Sequence, residues 1–236
     1  MLDSFRIKVF ADGADLDTIL QLADDPFFKG FTTNPSLMWK AGLTDYTAFA
    51  RRILERISDR PISFEVFADE PAEMERQALL IASWGENVYV KIPVTTTQGV
   101  STAPLACKLS AAGVKLNVTA LMTLAQVEEM AAALRDGAPS LVSVFAGRIA
   151  DAGVDPVPLM RDALAILAAA PSSELLWASP REVLNLVQAE QIGCHVITMT
   201  YDLLSKLPLL GKDLTEFSLE TVRMFHRDAE SAGFRL

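Results

Sequence analysis

Short apolar runs alternate with longer amphipathic stretches along most of the chain. The amphipathic stretches repeat apolar residues at helical spacing, and the short runs have the β-branched and aromatic composition of buried parallel strands. Eight strand–helix units without a linker predict a single (β/α)8 TIM barrel that comprises residues 1–236. An open doubly wound sheet remains an alternative, because a strand count does not prove closure. The predicted strands are 6–12, 29–33, 62–68, 88–94, 115–121, 141–146, 174–178 and 194–199.

Several helix starts have recognisable signals. Thr123–Gln126 predicts a capping box, and Asp155–Pro156 predicts an N-cap followed by a first-turn proline. Ser179–Glu182 predicts a second capping box with Ser179 as the N-cap. Beyond the last strand only helical patterns follow, and they predict an extra C-terminal helix over 212–232 that packs on a neighbouring subunit.

Composition and charge narrow the functional classes. The 236 residues are 50% hydrophobic and carry a net charge of −9, which disfavours binding to nucleic acid or to anionic membranes. No secretory signal is predicted at the N-terminus, and no apolar run has membrane-spanning length. Cys107 and Cys194 lack metal or CxxC spacing and are expected to be buried, reduced thiols. With two histidines in the chain, we expect a cytoplasmic protein that needs no metal or other cofactor.

Lys91 stands in the middle of the apolar run Val88–Val94, where a lysine is not expected. An ammonium group in a buried strand is costly unless it is paired, neutralised or used. A lysine made partly neutral by burial is a nucleophile, and its characteristic product is a Schiff base with a carbonyl substrate. The structural alternative is a lysine at a strand end that extends its ammonium group to solvent.

Polar residues recur at the ends of the predicted strands. Because residues two apart on a strand share a face, the same face carries Ser63 with Glu65, Tyr89 with Lys91, Asn117 with Thr119, and Ser143 with Phe145. The carboxyl ends of barrel strands meet at the mouth where barrel enzymes bind their substrates. The residues expected to converge there are Asp12, Asn34, Glu65, Lys91, Thr119 and Phe145.

Each of these polar residues also has a purely structural interpretation. Asp12 could cap a helix that begins near Ala14, and Asn34 could begin a turn. Asn117 and Thr119 could satisfy each other. Glu65 could serve only to neutralise a buried lysine.

Two arginines predict an anion site of phosphate character on the last third of the barrel. Arg148 follows the sixth strand, and Arg181 lies in the first turn of the helix that Ser179 is predicted to cap. Guanidinium groups and a helix N-terminus together favour a phosphate. Alternatively, Arg181 pairs with a surface glutamate.

These residues together resemble the transaldolase family, in particular the short-chain branch that includes fructose-6-phosphate aldolase. Gly-Phe-Thr-Thr-Asn-Pro-Ser and Val-Lys-Ile-Pro are the most specific motifs, and the matches follow the family's order over the first three quarters of the chain. The matching segments are Phe10–Asp12, Gly30–Ser36, Ser63–Val66, Val90–Pro93, Asn117–Thr119, Ser143–Arg148 and Ala178–Arg181.

The resemblance implies a barrel with metal-free, class I aldol chemistry that transfers a dihydroxyacetone unit from a ketose phosphate, such as fructose 6-phosphate, to an aldose phosphate. It implies that Lys91 forms the Schiff base and that Asp12 is the acid/base at the C4 hydroxyl. It further implies that Glu65 and Thr119 activate water. The implied substrate-binding residues are Asn34 and Asn117 for the dihydroxyacetone hydroxyls, Arg148, Ser179 and Arg181 for the phosphate, and Ser143 in the wall of the site.

Within the family, two positions favour a transferase over an aldolase. Phe145 and Glu65 stand where the aldolase members carry tyrosine and glutamine. A lyase that releases dihydroxyacetone, an enzyme for an unusual donor sugar and a non-catalytic sugar-phosphate-binding barrel remain alternatives. Two departures from the family pattern, Pro180 in place of phenylalanine and the loop 95–104, affect substrate choice in this interpretation. We also expect a homo-oligomer, such as a pentamer or decamer.

Overall fold

The computed structural model describes residues 5–235. Eight parallel strands form a closed barrel in chain order, and β1 pairs with β8, so the open-sheet alternative is wrong. The predicted (β/α)8 barrel is confirmed, with strand ends shifted by at most three residues. The strands are β1 Lys8–Asp12, β2 Phe28–Thr32, β3 Ile62–Glu65, β4 Val88–Pro93, β5 Leu116–Leu121, β6 Ser140–Val144, β7 Ser173–Trp177 and β8 Val196–Thr200.

Helices pack around the barrel and follow the strands. Two of the predicted starts are confirmed, since Thr123 and Gln126 form a complete capping box and Asp155 accepts the N–H of Val157. The described helices are α1 Leu16–Ala23, α2 Pro35–Lys40, α3 Tyr46–Arg56, α4 Pro71–Ala82, α5 Ala103–Ala111, α6 Leu124–Leu134, α7 Ala146–Asp151, α8 Pro156–Leu167, α9 Leu184–Gln191, α10 Tyr201–Leu204 and α11 Leu214–Ser231, with a 3-10 turn at Leu207–Leu209.

The predicted capping box at Ser179 is wrong. Helix α9 begins only at Leu184, and Ser179 has a φ of 60°, in the left-handed region that an N-cap does not use. The side chain of Asn185 accepts the N–H groups of Arg181 and Glu182 instead, at 2.7 and 3.1 Å. Asn185 of α9 therefore stabilises the turn that precedes the helix.

An apolar cluster fills part of the barrel interior, and Ala178 and Phe145, which follow β7 and β6, extend it to the carboxyl ends of the strands. Its centre is Phe10, whose ring lies across Gly30; a Cβ on Gly30 would lie 2.5 Å from the Phe10 ring. Glycine at this position therefore leaves the space that the ring occupies. The cluster comprises Phe10, Leu141, Leu176, Ala178 and Val196, with Tyr89 and Phe145 packed against it.

The C-terminal helix α11 matches the predicted 212–232 segment within two residues and contributes no buried residue to the described chain. Its exposed apolar side chains include Leu214, Phe217, Leu219, Val222, Met224 and Phe225. Packing of this helix on a neighbouring subunit stays a prediction. The extent of the domain also stays a prediction, and residues 1–4 and 236 lie outside the described part.

The thiols differ from the expectation in one respect. Cys194 is buried, but Cys107 lies on the solvent side of α5, so its predicted burial is wrong. Both thiols are free. Among residues 5–235, no helix combines the length and the apolar character needed to cross a bilayer.

Candidate functional site

A cavity of about 470 Å³ opens at the carboxyl ends of the strands. Its lining brings together residues from strands and loops all around the barrel. All eleven residues predicted for the site line it: Asp12, Asn34, Glu65, Lys91, Asn117, Thr119, Ser143, Phe145, Arg148, Ser179 and Arg181. Thr32, Thr198 and Thr200 also line it and were missed by the sequence analysis.

Lys91 is buried at the centre of this site. Its side chain is 10% exposed, so the interpretation of a lysine that reaches solvent is wrong. Nζ donates to the backbone oxygen of Thr33 at 2.6 Å and to Oε1 of Glu65 at 3.1 Å. The amine is thus held by one carboxylate and one carbonyl, at the wall of a cavity large enough for a small substrate.

Glu65 is surrounded by hydrogen-bond donors. Besides Lys91 on Oε1, Oε2 accepts from the Tyr46 hydroxyl at 3.3 Å, and the single proton of Thr33 Oγ1, 2.9 Å away, is shared between Oε2 and the backbone oxygen of Ser63. The Tyr46 hydroxyl also accepts the backbone N–H of Glu65 at 2.7 Å. Glu65 does neutralise Lys91, as its structural interpretation states, but it also lines the cavity and is available for proton transfer.

Asp12 faces the cavity from β1. It does not cap the next helix, because α1 begins at Leu16 and is capped by Asp15. The carboxylate accepts from Thr32 Oγ1 at 2.7 Å and from Asn34 Nδ2 at 3.3 Å. Burial raises the pKa of Asp12, while the charge of Lys91 and the two hydrogen bonds lower it. A carboxyl with a raised pKa is suited to exchanging protons with a substrate near neutral pH.

Two further hydroxyl and amide contacts shape this side of the site. Asn34 performs a structural and a site role at once, because its Oδ1 accepts the N–H of Leu37 as the N-cap of α2 while its amide reaches Asp12. Thr32 Oγ1 lies 2.6 Å from Thr198 Oγ1. When Thr32 donates to Asp12, Thr198 must donate to Thr32, so a line of hydroxyls stabilises the ionised carboxylate.

Asn117 and Thr119 do not satisfy each other. Asn117 donates to Ser63 Oγ at 2.9 Å and accepts from Ser143 Oγ at 2.6 Å. Thr119 Oγ1 is buried and has no partner among residues 5–235. The residue after it, Ala120, has a φ of 68° where the register of β5 shifts against β6. Thr119 therefore lies in a bulge, and its hydroxyl has hydrogen-bonding capacity that no described residue uses.

The predicted anion site has two guanidinium groups, but the helix N-terminus predicted at Ser179 is absent from it because α9 begins only at Leu184. Arg181 pairs with Asp151, with Nε 2.9 Å from Oδ1, so its partner is an aspartate and not the expected glutamate. This hydrogen bond lowers the pKa of Asp151. The guanidinium carbon of Arg148 lies 5.9 Å from the centroid of the Phe145 ring, and within residues 5–235 no carboxylate pairs with Arg148 within 4.0 Å. Arg148 is therefore the cation with the greater capacity to bind an added anion.

Gly147 fixes the position of helix α7, which carries Arg148, relative to the loop that carries Arg181. A Cβ on Gly147 would lie 1.6 Å from the backbone oxygen of Ser179, so no other residue fits without displacing the Ser179 loop. This close approach joins the first turn of α7, which follows β6, to the loop after β7. Arg148 and Arg181 consequently line the same side of the cavity.

Comparison with known proteins agrees with this geometry. The family model described as transaldolase/fructose-6-phosphate aldolase matches residues 9–236. The chain belongs to this family. A "Probable transaldolase" of Dehalococcoides mccartyi is 34% identical over 215 residues, which are 89% of this chain and 96% of the relative. A "Probable transaldolase" of Thermoanaerobacter sp. is 32% identical over 231 residues, which are 98% and 100% of the two chains.

Solved structures outside the transaldolase family share the fold. An HpcH/Hpal aldolase/citrate lyase family protein from Burkholderia cenocepacia superposes with a TM-score of 0.58 at 16% identity, covering 92% of this chain and 95% of that one. Among the described residues of this transaldolase-family chain, no group of three or more His, Cys, Asp or Glu side chains could hold a metal ion. A reaction without metal or other cofactor stays a prediction.

Proposed function

We propose that the protein is a class I transaldolase, which transfers a dihydroxyacetone unit from a ketose phosphate such as fructose 6-phosphate to an aldose phosphate. The observation that carries this proposal is the buried Lys91 amine, which faces a cavity with Glu65 on one side and Asp12 within electrostatic reach. The names of the relatives, "Probable transaldolase", support the same reaction class.

Formation of the Schiff base requires a neutral amine and a path for protons. Lys91 Nζ gives a proton to Glu65, its partner at 3.1 Å, and attacks the C2 carbonyl of the ketose. The C2 oxygen leaves as water after it has received two protons. The unpaired hydroxyl of Thr119 is the group available to hold that water. Glu65 and Thr119 return water to the imine at the end of the cycle.

Cleavage of the sugar uses the second carboxyl group. Asp12 takes the proton of the C4 hydroxyl, the C3–C4 bond breaks, and its electron pair enters the iminium to give an enamine on Lys91. The raised pKa of Asp12 lets the carboxyl hold this proton until it is returned to the carbonyl oxygen of the acceptor. In this proposal Arg148 and Arg181 bind the phosphate of donor and acceptor.

The proposed function predicts that glyceraldehyde 3-phosphate is released from fructose 6-phosphate only when erythrose 4-phosphate is present. Release is measured with a coupled assay, with and without the acceptor. Release without acceptor indicates a lyase that frees dihydroxyacetone. No release under either condition indicates a different donor sugar or a barrel that only binds.

Phe145→Tyr is expected to increase release of free dihydroxyacetone relative to transfer by about tenfold. The ring of Phe145 lines the cavity and has no hydroxyl group, so it gives a water molecule no assistance in protonating the enamine. A tyrosine hydroxyl supplies that assistance. Both products are quantified in one reaction by chromatography.

The matched control is Phe234→Tyr, which adds the same hydroxyl to an exposed ring that does not line the cavity. An unchanged ratio of products in Phe145→Tyr would remove position 145 from the explanation of transferase character.

The loop after β4 is where substrate choice could depart from that of other family members. Thr97 donates its N–H and its hydroxyl to Asp69, each at 2.6 Å, so the loop is tied to the segment after β3. We propose ordinary sugar phosphates as substrates. If none of them reacts, the alternative is an unusual donor sugar. The homo-oligomer, with α11 on a neighbouring subunit, and the cytoplasmic location remain part of the proposal.

A further inference from the structure

The hydrogen-bond ladder between β2 and β3 is broken beside Lys91. The two strands pair in register at Phe31 with Ile62 and at Thr32 with Ser63, and Phe31 donates its N–H to Pro61 at 2.9 Å. A regular parallel ladder continues with the N–H of Thr33 on Ser63 and the N–H of Glu65 on Thr33. Neither of these bonds is present, and side chains bind three of the four backbone groups that would form them.

Three side chains replace this rung of the ladder. The oxygen of Ser63 accepts from the Thr33 hydroxyl at 2.9 Å, and the N–H of Glu65 donates to the Tyr46 hydroxyl at 2.7 Å. The backbone oxygen of Thr33 is thereby left without its ladder donor, and it accepts from Lys91 Nζ at 2.6 Å. The broken rung therefore supplies one of the two acceptors that hold the amine.

Tyr46 reaches this point from helix α3 and is firmly placed. Its ring makes edge contacts with Phe64, Phe67 and Trp84, at centroid distances of 6.1, 4.8 and 5.8 Å. Burial, followed by the charge of Glu65, raises the pKa of the Tyr46 hydroxyl well above its usual range, so the hydroxyl keeps its proton. With the backbone N–H on its lone pair, that proton is directed at Glu65 Oε2.

We propose that Tyr46 is a positioning residue for Lys91 and Glu65. Its hydroxyl takes the N–H of Glu65, which leaves the Thr33 carbonyl to the amine. The same hydroxyl donates to Oε2 of Glu65, which leaves Oε1 to the amine. The catalytic consequence rests on the proposed function, while the positioning itself does not.

The test is Tyr46→Phe, which removes the hydroxyl and keeps the ring in its aromatic contacts. Borohydride trapping of the Lys91 imine from fructose 6-phosphate, followed by mass spectrometry, is expected to slow about 10- to 100-fold. The sugar concentration at half-maximal rate should change by less than about threefold, because Tyr46 does not line the cavity. An unchanged trapping rate would overturn the proposal.

Two comparisons separate positioning from general stability. Tyr89→Phe removes a hydroxyl from the strand that carries Lys91, but its ring packs against the apolar cluster and does not line the cavity, so the trapping rate should stay unchanged. In a Glu65→Gln background, Tyr46→Phe should slow trapping by a smaller factor than in the native protein, because part of its effect passes through the carboxylate. Equal factors in both backgrounds would contradict a positioning role.

Failure of the native protein to trap any sugar would reject the proposed function but not the positioning role of Tyr46. A crystal structure of Tyr46→Phe tests that role without any sugar. The expected structure has the N–H of Glu65 turned to the Thr33 oxygen at about 3 Å, with Lys91 Nζ displaced from that oxygen. If Lys91 Nζ and Glu65 keep their native positions, Tyr46 does not position them.

Discussion

Replacing Lys91 with alanine is expected to eliminate the covalent intermediate and to lower turnover on the order of 10⁴-fold or more. The reaction proposed here routes both the cleavage and the transfer through an iminium on this nitrogen, and among residues 5–235 no other lysine lines the cavity. The native protein, treated with fructose 6-phosphate and borohydride, should gain the mass of a reduced three- or six-carbon adduct on the peptide that contains Lys91. The alanine variant should gain none.

Loss of folding must be separated from loss of chemistry in this experiment. Removing Lys91 leaves the buried carboxylate of Glu65 without its ion-pair partner, a change that typically destabilises a fold by about 3–5 kcal/mol. Lys91→Met combined with Glu65→Gln keeps the volume and removes both charges, so it should fold and still trap no sugar. Lys115→Ala, at a half-buried lysine that does not line the cavity, is the control that should trap normally. An adduct on the double variant would show that another amine is the nucleophile.

Asp12→Asn is expected to slow carbon–carbon cleavage about 10²- to 10⁴-fold while leaving Schiff-base formation intact. Asparagine keeps the shape of the side chain and can still bond to Thr32, but it cannot take the proton of the C4 hydroxyl. The intact six-carbon adduct should therefore accumulate on Lys91, and mass spectrometry distinguishes it from the three-carbon adduct. Loss of both adducts would contradict the assignment of cleavage to Asp12 and of Schiff-base formation to Glu65.

The same variant should alter the pH dependence. Burial holds the pKa of Asp12 above its usual value, against the opposing effects of Lys91, Thr32 and Asn34. Below that raised pKa the carboxyl is protonated and cannot accept a proton, so the native cleavage rate should fall as the pH decreases through it. Asp12→Asn should lack this acid limb. Asp15→Asn, which retains a capping side chain at the start of α1, should keep it.

The fold could be predicted because the strand signal is repeated eight times, and errors of a few residues at each end leave the count unchanged. The inward set of polar residues follows from the same regularity, since alternation along a strand decides which side chains face the interior. Thr198 obeys this rule too. Its place in the site could have been predicted from the sequence, because it faces the interior on the eighth strand as Asp12 does on the first.

Other features depend on contacts that no local pattern records. The Ser179 segment has the residues of a capping box, but its conformation is fixed by the close approach of Gly147, 32 positions earlier in the sequence. Tyr46 reads as an ordinary apolar position of an amphipathic helix. Its hydroxyl gains a role only because β2 and β3 stop pairing at the height of Lys91.

The Phe10 ring across Gly30 has a consequence for the order in which substrates must come and go. In the proposed reaction, the aldehyde released from the donor would leave by the opening through which the acceptor arrives, because the barrel is filled below the cavity. The two aldehydes carry the same phosphate group and would use the same arginines. Departure of the first product must therefore precede binding of the second substrate, and an excess of the released aldehyde should compete with the acceptor and return the three-carbon unit to the donor sugar.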